Sequence, residues 1–61
     1  MKAYYYEVFW YEDRDHENWS SQGYDTLKEA LDVYDDFRNK YFDVEVTKRK
    51  ALNGELIRYV R

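Results

Sequence analysis

The residues best equipped for chemistry in this 61-residue chain fall in one stretch. His16, the only histidine, stands among Asp13, Asp15 and Glu17, with Ser20 and Ser21 close behind. Alternating acids at Asp13, Asp15 and Glu17 begin like a calcium loop. Such a loop also needs glycine at its sixth position and an acid at its twelfth, and those places hold Asn18 and Tyr24. Zinc would require further nitrogen or sulfur ligands, and the chain has no cysteine. A serine nucleophile would need a base held by a third group inside an enclosed pocket. A polar loop on so short a chain supplies little of that. The only glycines, Gly23 and Gly54, make no phosphate-binding loop. The residues therefore point to solvated loop charges, and we expect no enzyme, no metal, no cofactor and no small-molecule substrate.

Aromatic content is the more informative feature. Thirteen side chains are Phe, Trp or Tyr, and the run Tyr4-Tyr5-Tyr6-Glu7-Val8-Phe9-Trp10-Tyr11 loads both faces of an extended segment with rings. Disordered chains are poor in aromatics, so high charge does not mean disorder here. A chain this short makes one domain, residues 1–61, with a small core. Small secreted domains usually rely on disulfides, so the lack of cysteine predicts a cytoplasmic protein. The charged, aromatic start after Met1-Lys2 does not read as a signal peptide, and no apolar stretch is long enough to span a membrane.

The elements that must position these residues follow from spacing. Residues 3–12 read as a strand, with Tyr4, Tyr6, Val8 and Trp10 assigned to the core and Tyr5, Glu7, Phe9 and Tyr11 to the other face. Residues 13–25 lack an apolar period and read as a loop, whose Trp19 could fold over the rings of the first strand. Thr26-Leu27-Lys28-Glu29 matches a helix capping box. Leu27, Ala30, Leu31, Tyr34, Phe37 and Tyr41 then repeat at helical spacing, predicting a helix over 26–40. Phe42, Val44 and Val46 alternate with Asp43, Glu45 and Thr47, predicting a strand over 42–50. Asn53-Gly54 predicts a tight turn before a last strand over 55–61. A two-residue turn sets Lys50 opposite Ile57 and puts Ile57 and Tyr59 with Val44 and Val46; a glycine-bulge turn sets Val60 opposite Val46. We favour the first. The fold expected is α+β, a β-α-β-β chain whose three-stranded sheet, ordered 2-3-1, carries one amphipathic helix on one face.

In that arrangement the first strand is an edge strand rich in rings, which soluble proteins normally cover. Pairing with a second copy across a two-fold axis would cover it and give a homodimer. Tyr5, Phe9 and Tyr11 are accordingly the candidate partner-binding residues. Charge is polarised: residues 1–45 carry twelve acids against five bases, and residues 46–61 five bases against Glu55. Glu29, Asp32, Asp35 and Asp36 predict an acidic helix surface able to steer a basic partner. Lys48, Arg49, Lys50 and Arg58 cluster near the hairpin, and with rings on an open sheet they would suit unpaired nucleic acid. Net charge of −3 counts against that alternative.

With its aromatic first strand, the helix start Tyr24-Asp25-Thr26-Leu27-Lys28-Glu29-Ala30-Leu31 and the Asn53-Gly54 hairpin, the whole chain resembles small uncharacterised proteins of phages and prophages of Gram-positive bacteria. The resemblance carries no functional motif. It implies an accessory factor that binds a host protein or a nucleic acid. The sequence thus predicts a non-enzymatic interaction module, self-associating or binding a protein through its first strand and open sheet face.

Overall fold

Rings on both faces of one strand have a simple structural consequence: Tyr4–Tyr11 is the strand around which the sheet is built. The computed structural model describes residues 2–61; Met1, where the expected domain and the reading of the chain start begin, lies outside the described residues. Along the chain come β1 (Tyr4–Tyr11), β2 (Trp19–Tyr24), α1 (Leu27–Phe37), β3 (Phe42–Lys50) and β4 (Leu56–Tyr59). The domain is α+β with one helix. Its sheet, however, has four antiparallel strands in the order β2-β1-β3-β4, not three in the order 2-3-1.

Two expectations fall together. The segment 13–25 is not all loop, because Trp19–Tyr24 pairs along β1 from Tyr6 opposite Tyr24 to Tyr11 opposite Trp19. With β2 on one side and β3 on the other, β1 is a central strand and has no free edge for a second copy. The chain turns between β1 and β2 at Asp13, whose Oδ1 accepts the Glu17 N–H at 2.9 Å and whose Oδ2 accepts from the Asn18 side-chain amide at 2.8 Å. Glu12 N–H to Asn18 O, 2.8 Å, closes the hairpin.

The buried apolar centre is small: Tyr6, Val8, Ala30 and Val46. Val8 faces Val46 across the β1–β3 ladder, and Trp10, Tyr24, Leu27, Val33, Tyr34, Val44 and Val60 pack around them. At the far end Trp10 meets Phe37 edge-on at 4.7 Å and stacks on Tyr41 at 5.6 Å. Tyr4, assigned to the core by alternation, lies at its margin and is 38% exposed. Thr26 caps α1: its hydroxyl accepts the Glu29 N–H at 3.3 Å and donates to Glu29 Oε1 at 2.8 Å. The helix ends at Phe37, short of residue 40, where the Arg38 N–H bonds Tyr34 O and the Lys40 and Tyr41 N–H groups both turn back to Phe37 O.

The β3–β4 connection also departs from expectation. Gly54 takes φ 74° while Asn53 stays out of the left-handed region, and the Gly54 N–H bonds Lys50 O at 2.8 Å. That makes a four-residue connection, closed by Lys50 N–H to Glu55 O at 2.9 Å, instead of a two-residue turn. A bulge between Lys48 and Arg49 then sets Lys48 opposite Arg58 and Thr47 opposite Tyr59. Tyr59 therefore shares a face with Thr47, not with Val44 and Val46, and Val60 is the residue that reaches the core and bonds Val46 O at 2.8 Å.

Because only glycine adopts a left-handed backbone at low cost, Gly54→Ala should destabilise the domain by about 1 kcal/mol. Gly23 has no such backbone and a new Cβ would stand 3.4 Å from the Tyr5 ring, ordinary contact. Gly23→Ala should stay within about 0.5 kcal/mol of the parent. Urea denaturation of the two variants checks this; equal losses would mean the turn does not depend on Gly54.

Candidate functional site

Since Tyr6 and Val8 point toward α1, the intervening residues of β1 point to the uncovered side of the sheet. Register adds neighbours. Glu45, Thr47 and Arg49 of β3 stand opposite Phe9, Glu7 and Tyr5, while β2 places Ser21 and Gly23 opposite Phe9 and Glu7. At one end the rings form a row. Trp19 stacks on Phe9 at 5.5 Å, Phe9 meets Tyr11 edge-on at 5.1 Å, and Tyr11 stacks on His16 at 4.0 Å. His16 Nε2 then bonds Asp43 Oδ2 at 2.6 Å.

That last contact joins two irregular points. His16 (φ 60°) and Asp43 (φ 48°) are the non-glycine residues with left-handed backbone among those described, each conformation costing about 1–2 kcal/mol. The His16–Asp43 contact and the Tyr11 stack hold the β1–β2 hairpin against the start of β3. Asp13 is drawn below the ordinary carboxylate pKa, first by the Glu17 N–H and then by the Asn18 amide, against opposing desolvation. The polar residues of this segment thus serve the loop: Asp13 holds its turn, Ser20 donates to Glu12 Oε2 at 2.7 Å, and His16 engages Tyr11 and Asp43. Among the described residues no three His, Asp or Glu side chains converge to hold a metal ion.

The middle of the face is polar. Arg49 Nε lies 3.3 Å from Glu7 Oε1 and 3.1 Å from Thr47 Oγ1, to which it donates, and Nη1 donates to Gly54 O at 2.9 Å. Thr47 is 3% exposed beneath this network. Tyr5 lies beyond it, its ring against Gly23 and its hydroxyl toward Gly54. The candidates Phe9 and Tyr11 are brought together, and Tyr5 is separated from them by Glu7 and Arg49.

The other candidate groups are dispersed. Glu29, Asp32, Asp35 and Asp36 are exposed on α1; Asp32 pairs with Lys28 at 3.1 Å, Asp36 with Lys40 at 3.4 Å, and Glu29 belongs to the cap. The bases do not form one patch. Arg49 belongs to the uncovered face, Lys50 pairs with Glu55 at 3.1 Å, and Lys48 and Arg58 oppose each other on the helix side, with Lys48 Nζ 3.9 Å from the Tyr4 ring centroid.

The sequence predicts Trp19 in a loop able to fold over the rings, and Glu45 on their face; it does not predict the strand that holds Trp19 beside Phe9. Trp19 leads a strand of Ser, Ser, Gln and Gly with no alternation to announce it. Comparison with protein-family models, with curated proteins and with solved structures gives no match to this chain. Among the described residues no helix is long and apolar enough to cross a membrane.

The lowered Asp13 pKa fixes the sign of a pH effect. A carboxylate depressed in the folded state contributes stability that is present above its unfolded pKa, about 3.9, and lost as pH falls through the folded value. The Glu17 and Asn18 amide resonances should therefore shift together in an acid titration whose midpoint lies below that of an ordinary aspartate. Asp13→Ala should remove the transition; a midpoint at or above the ordinary value would show that the turn does not rest on Asp13.

Proposed function

We propose that this chain is a non-enzymatic protein-binding module whose working surface is the aromatic row on the uncovered sheet face. The observation that carries the reading is Trp19, 61% exposed yet stacked on Phe9 at the end of a strand. Large rings held on a rigid strand lose little side-chain freedom on docking, and Trp and Tyr dominate interface energetics. Trp19, Phe9 and Tyr11 supply the anchors. Phe42, 36% exposed and opposite Tyr11, extends the apolar area.

Charge around the row selects the class of partner. Glu45 stands opposite Phe9, and Asp43 closes the row beyond His16, so a phosphate backbone would meet acids beside the rings. Lys48 and Arg58 sit on the opposite side of the sheet, Arg49 is paired with Glu7, and Arg14, over the Phe42 ring, is the base beside the row. A neutral or basic protein surface fits better than single-stranded nucleic acid, and the acidic face of α1 favours the same partner at longer range. Self-association by adding β1 to a second β1 is closed to this fold. A face-to-face dimer through the row is one form the reading can take.

Trp19→Ser and Phe9→Ser separate the reading from its rivals. Trp19→Ser should keep the parent's circular dichroism and denaturation midpoint and weaken partner binding or self-association by at least about 30-fold, the loss typical of an interface anchor. Affinity capture followed by titration of the captured protein, alongside light-scattering mass and an oligothymidine titration, makes the measurement. Unchanged affinity in Trp19→Ser, or oligonucleotide binding tighter than protein binding, would overturn it.

A further inference from the structure

At the other edge of the sheet from Trp19, β4 is left exposed on more sides than any other strand. All four of its residues are exposed, including Leu56 at 39%, Ile57 at 43% and Tyr59 at 62%. It pairs with β3 alone, and α1 touches β1, β2 and β3 but not β4. The strand therefore has a free edge and no helix over it. In an antiparallel ladder alternate residues turn their backbone groups to alternate sides. The Val60 N–H bonds Val46 O, so Tyr59, the residue before it, turns its N–H and C=O to the free edge.

Charge on this strand is arranged in an unusual way. Lys48 and Arg58 stand directly opposite each other, and like charges across a strand pair are destabilising. The neighbouring bases are neutralised, Arg49 by Glu7 and Lys50 by Glu55. Among the described residues no carboxylate lies within ion-pair distance of Lys48 or Arg58. An anion beside them would relieve the repulsion. On the opposite side of the strand, Leu56 and Tyr59 stand across from Arg49 and Thr47 and offer apolar area.

We infer that β4 accepts an extended segment of a partner protein as a fifth strand, and that alternate residues of that segment are acidic and apolar. The acids turn to Arg58 and Lys48 on the helix side, the apolar residues lie beside Leu56 and Tyr59, and the main chain bonds the free edge at Tyr59. Strand addition of this kind takes affinity from main-chain bonds and specificity from alternate side chains. A second copy of this chain is a poorer occupant, since its own β4 brings a base and no acid to face Lys48 and Arg58. Nucleic acid has the charge but cannot extend the ladder.

The probes are capped, fluorescein-labelled peptides of alternating valine and glutamate, the same with lysine for glutamate, and the glutamate peptide N-methylated at every second residue. Titrated with the full chain, the glutamate peptide should bind saturably, and the lysine and N-methylated peptides at least tenfold more weakly. Arg58→Glu, at an exposed position, should lose the glutamate peptide by tenfold or more and gain the lysine peptide, with amide shifts centred on residues 56–60 in the parent. Equal binding of the first two peptides overturns the inference, as does indifference to N-methylation, indifference to Arg58→Glu, or shifts confined to Phe9, Tyr11 and Trp19. A light-scattering dimer that Arg58→Glu abolishes and the glutamate peptide cannot displace would equally overturn it in favour of a second copy. Trp19→Ser should leave this binding unchanged, which separates failure here from failure of the aromatic-row reading.

Discussion

Val8 and Val46, paired across the β1–β3 ladder and both without solvent exposure, lie in one cluster with Ala30, and β1, β2, α1 and β3 converge there. Ala30 is the small residue that lets α1 approach the two central strands closely, and Tyr6 closes one side of the cluster at 7% exposure. In so small a domain few side chains can be removed from water entirely, so the stability that survives chain entropy rests on a handful of contacts. Partly buried rings extend that centre. Trp10, Phe37 and Tyr41 pack mutually at the end of the helix, adding edge and stacked contacts where aliphatic core has run out.

The same strand that builds the core fixes what lies on the other face. Because β1 is paired on both edges, its outward residues cannot re-orient, and Glu7 must stand among rings. Arg49, opposite Tyr5 and next to Thr47, reaches it, and the resulting network of Glu7, Arg49, Thr47 and Gly54 ties the turn of the last hairpin to the centre of the sheet. A partly exposed ion pair of this kind stabilises little, at most about 1 kcal/mol. Its larger effect is geometric: it divides the face into a Tyr5 end, packed against glycines, and a Phe9–Tyr11 end that remains accessible.

Much of this was legible in the chain. Period-two alternation in β3, helical spacing from Leu27, and the Thr26 to Glu29 cap each follow from short-range rules, and the absence of charge on Tyr4, Tyr6, Val8 and Trp10 identified the inward side of β1. Sheet order was not legible, for a physical reason. Rings on both faces are what a central strand needs, but the last strand also reads as apolar on both faces and takes the central place, and Trp19–Tyr24, hidden in a Ser, Gln and Gly sequence, offers no strand to flank β1. A strand formed by pairing alone, with little to bury, leaves no periodic trace. The hairpin failed differently. Asn-Gly favours a two-residue turn, but here only Gly54 is left-handed, and the longer connection lets Val60 reach Val46. The candidate residues inherited these errors: Phe9 and Tyr11 meet, Tyr5 is set apart from them on the same face by Glu7 and Arg49, and the bases are divided, Arg49 on that face and Lys48 and Arg58 on the helix side.

The unequal edges of the sheet follow from covering four strands with one helix. Strands lie about 4.8 Å apart and a helix with its side chains is about 10–12 Å wide, so α1 shields two or three strands and a fourth must project. Connectivity decides which. The helix follows β2 after only Asp25 and Thr26 and leads through a short turn into β3, so it is tethered over β2, β1 and β3, and β4, reached by a hairpin at the far side, is the strand left out. The edge at β2 is polar in composition apart from its terminal rings, which blunts it as a template. The edge at β4 is Leu-Ile-Arg-Tyr, short, bulged, apolar and basic. Proteins of this size that lack disulfides have little stability to spare for an exposed apolar strand. A strand left so placed, beside two opposed cations, is more economically explained by what it binds than by what it contributes to the fold.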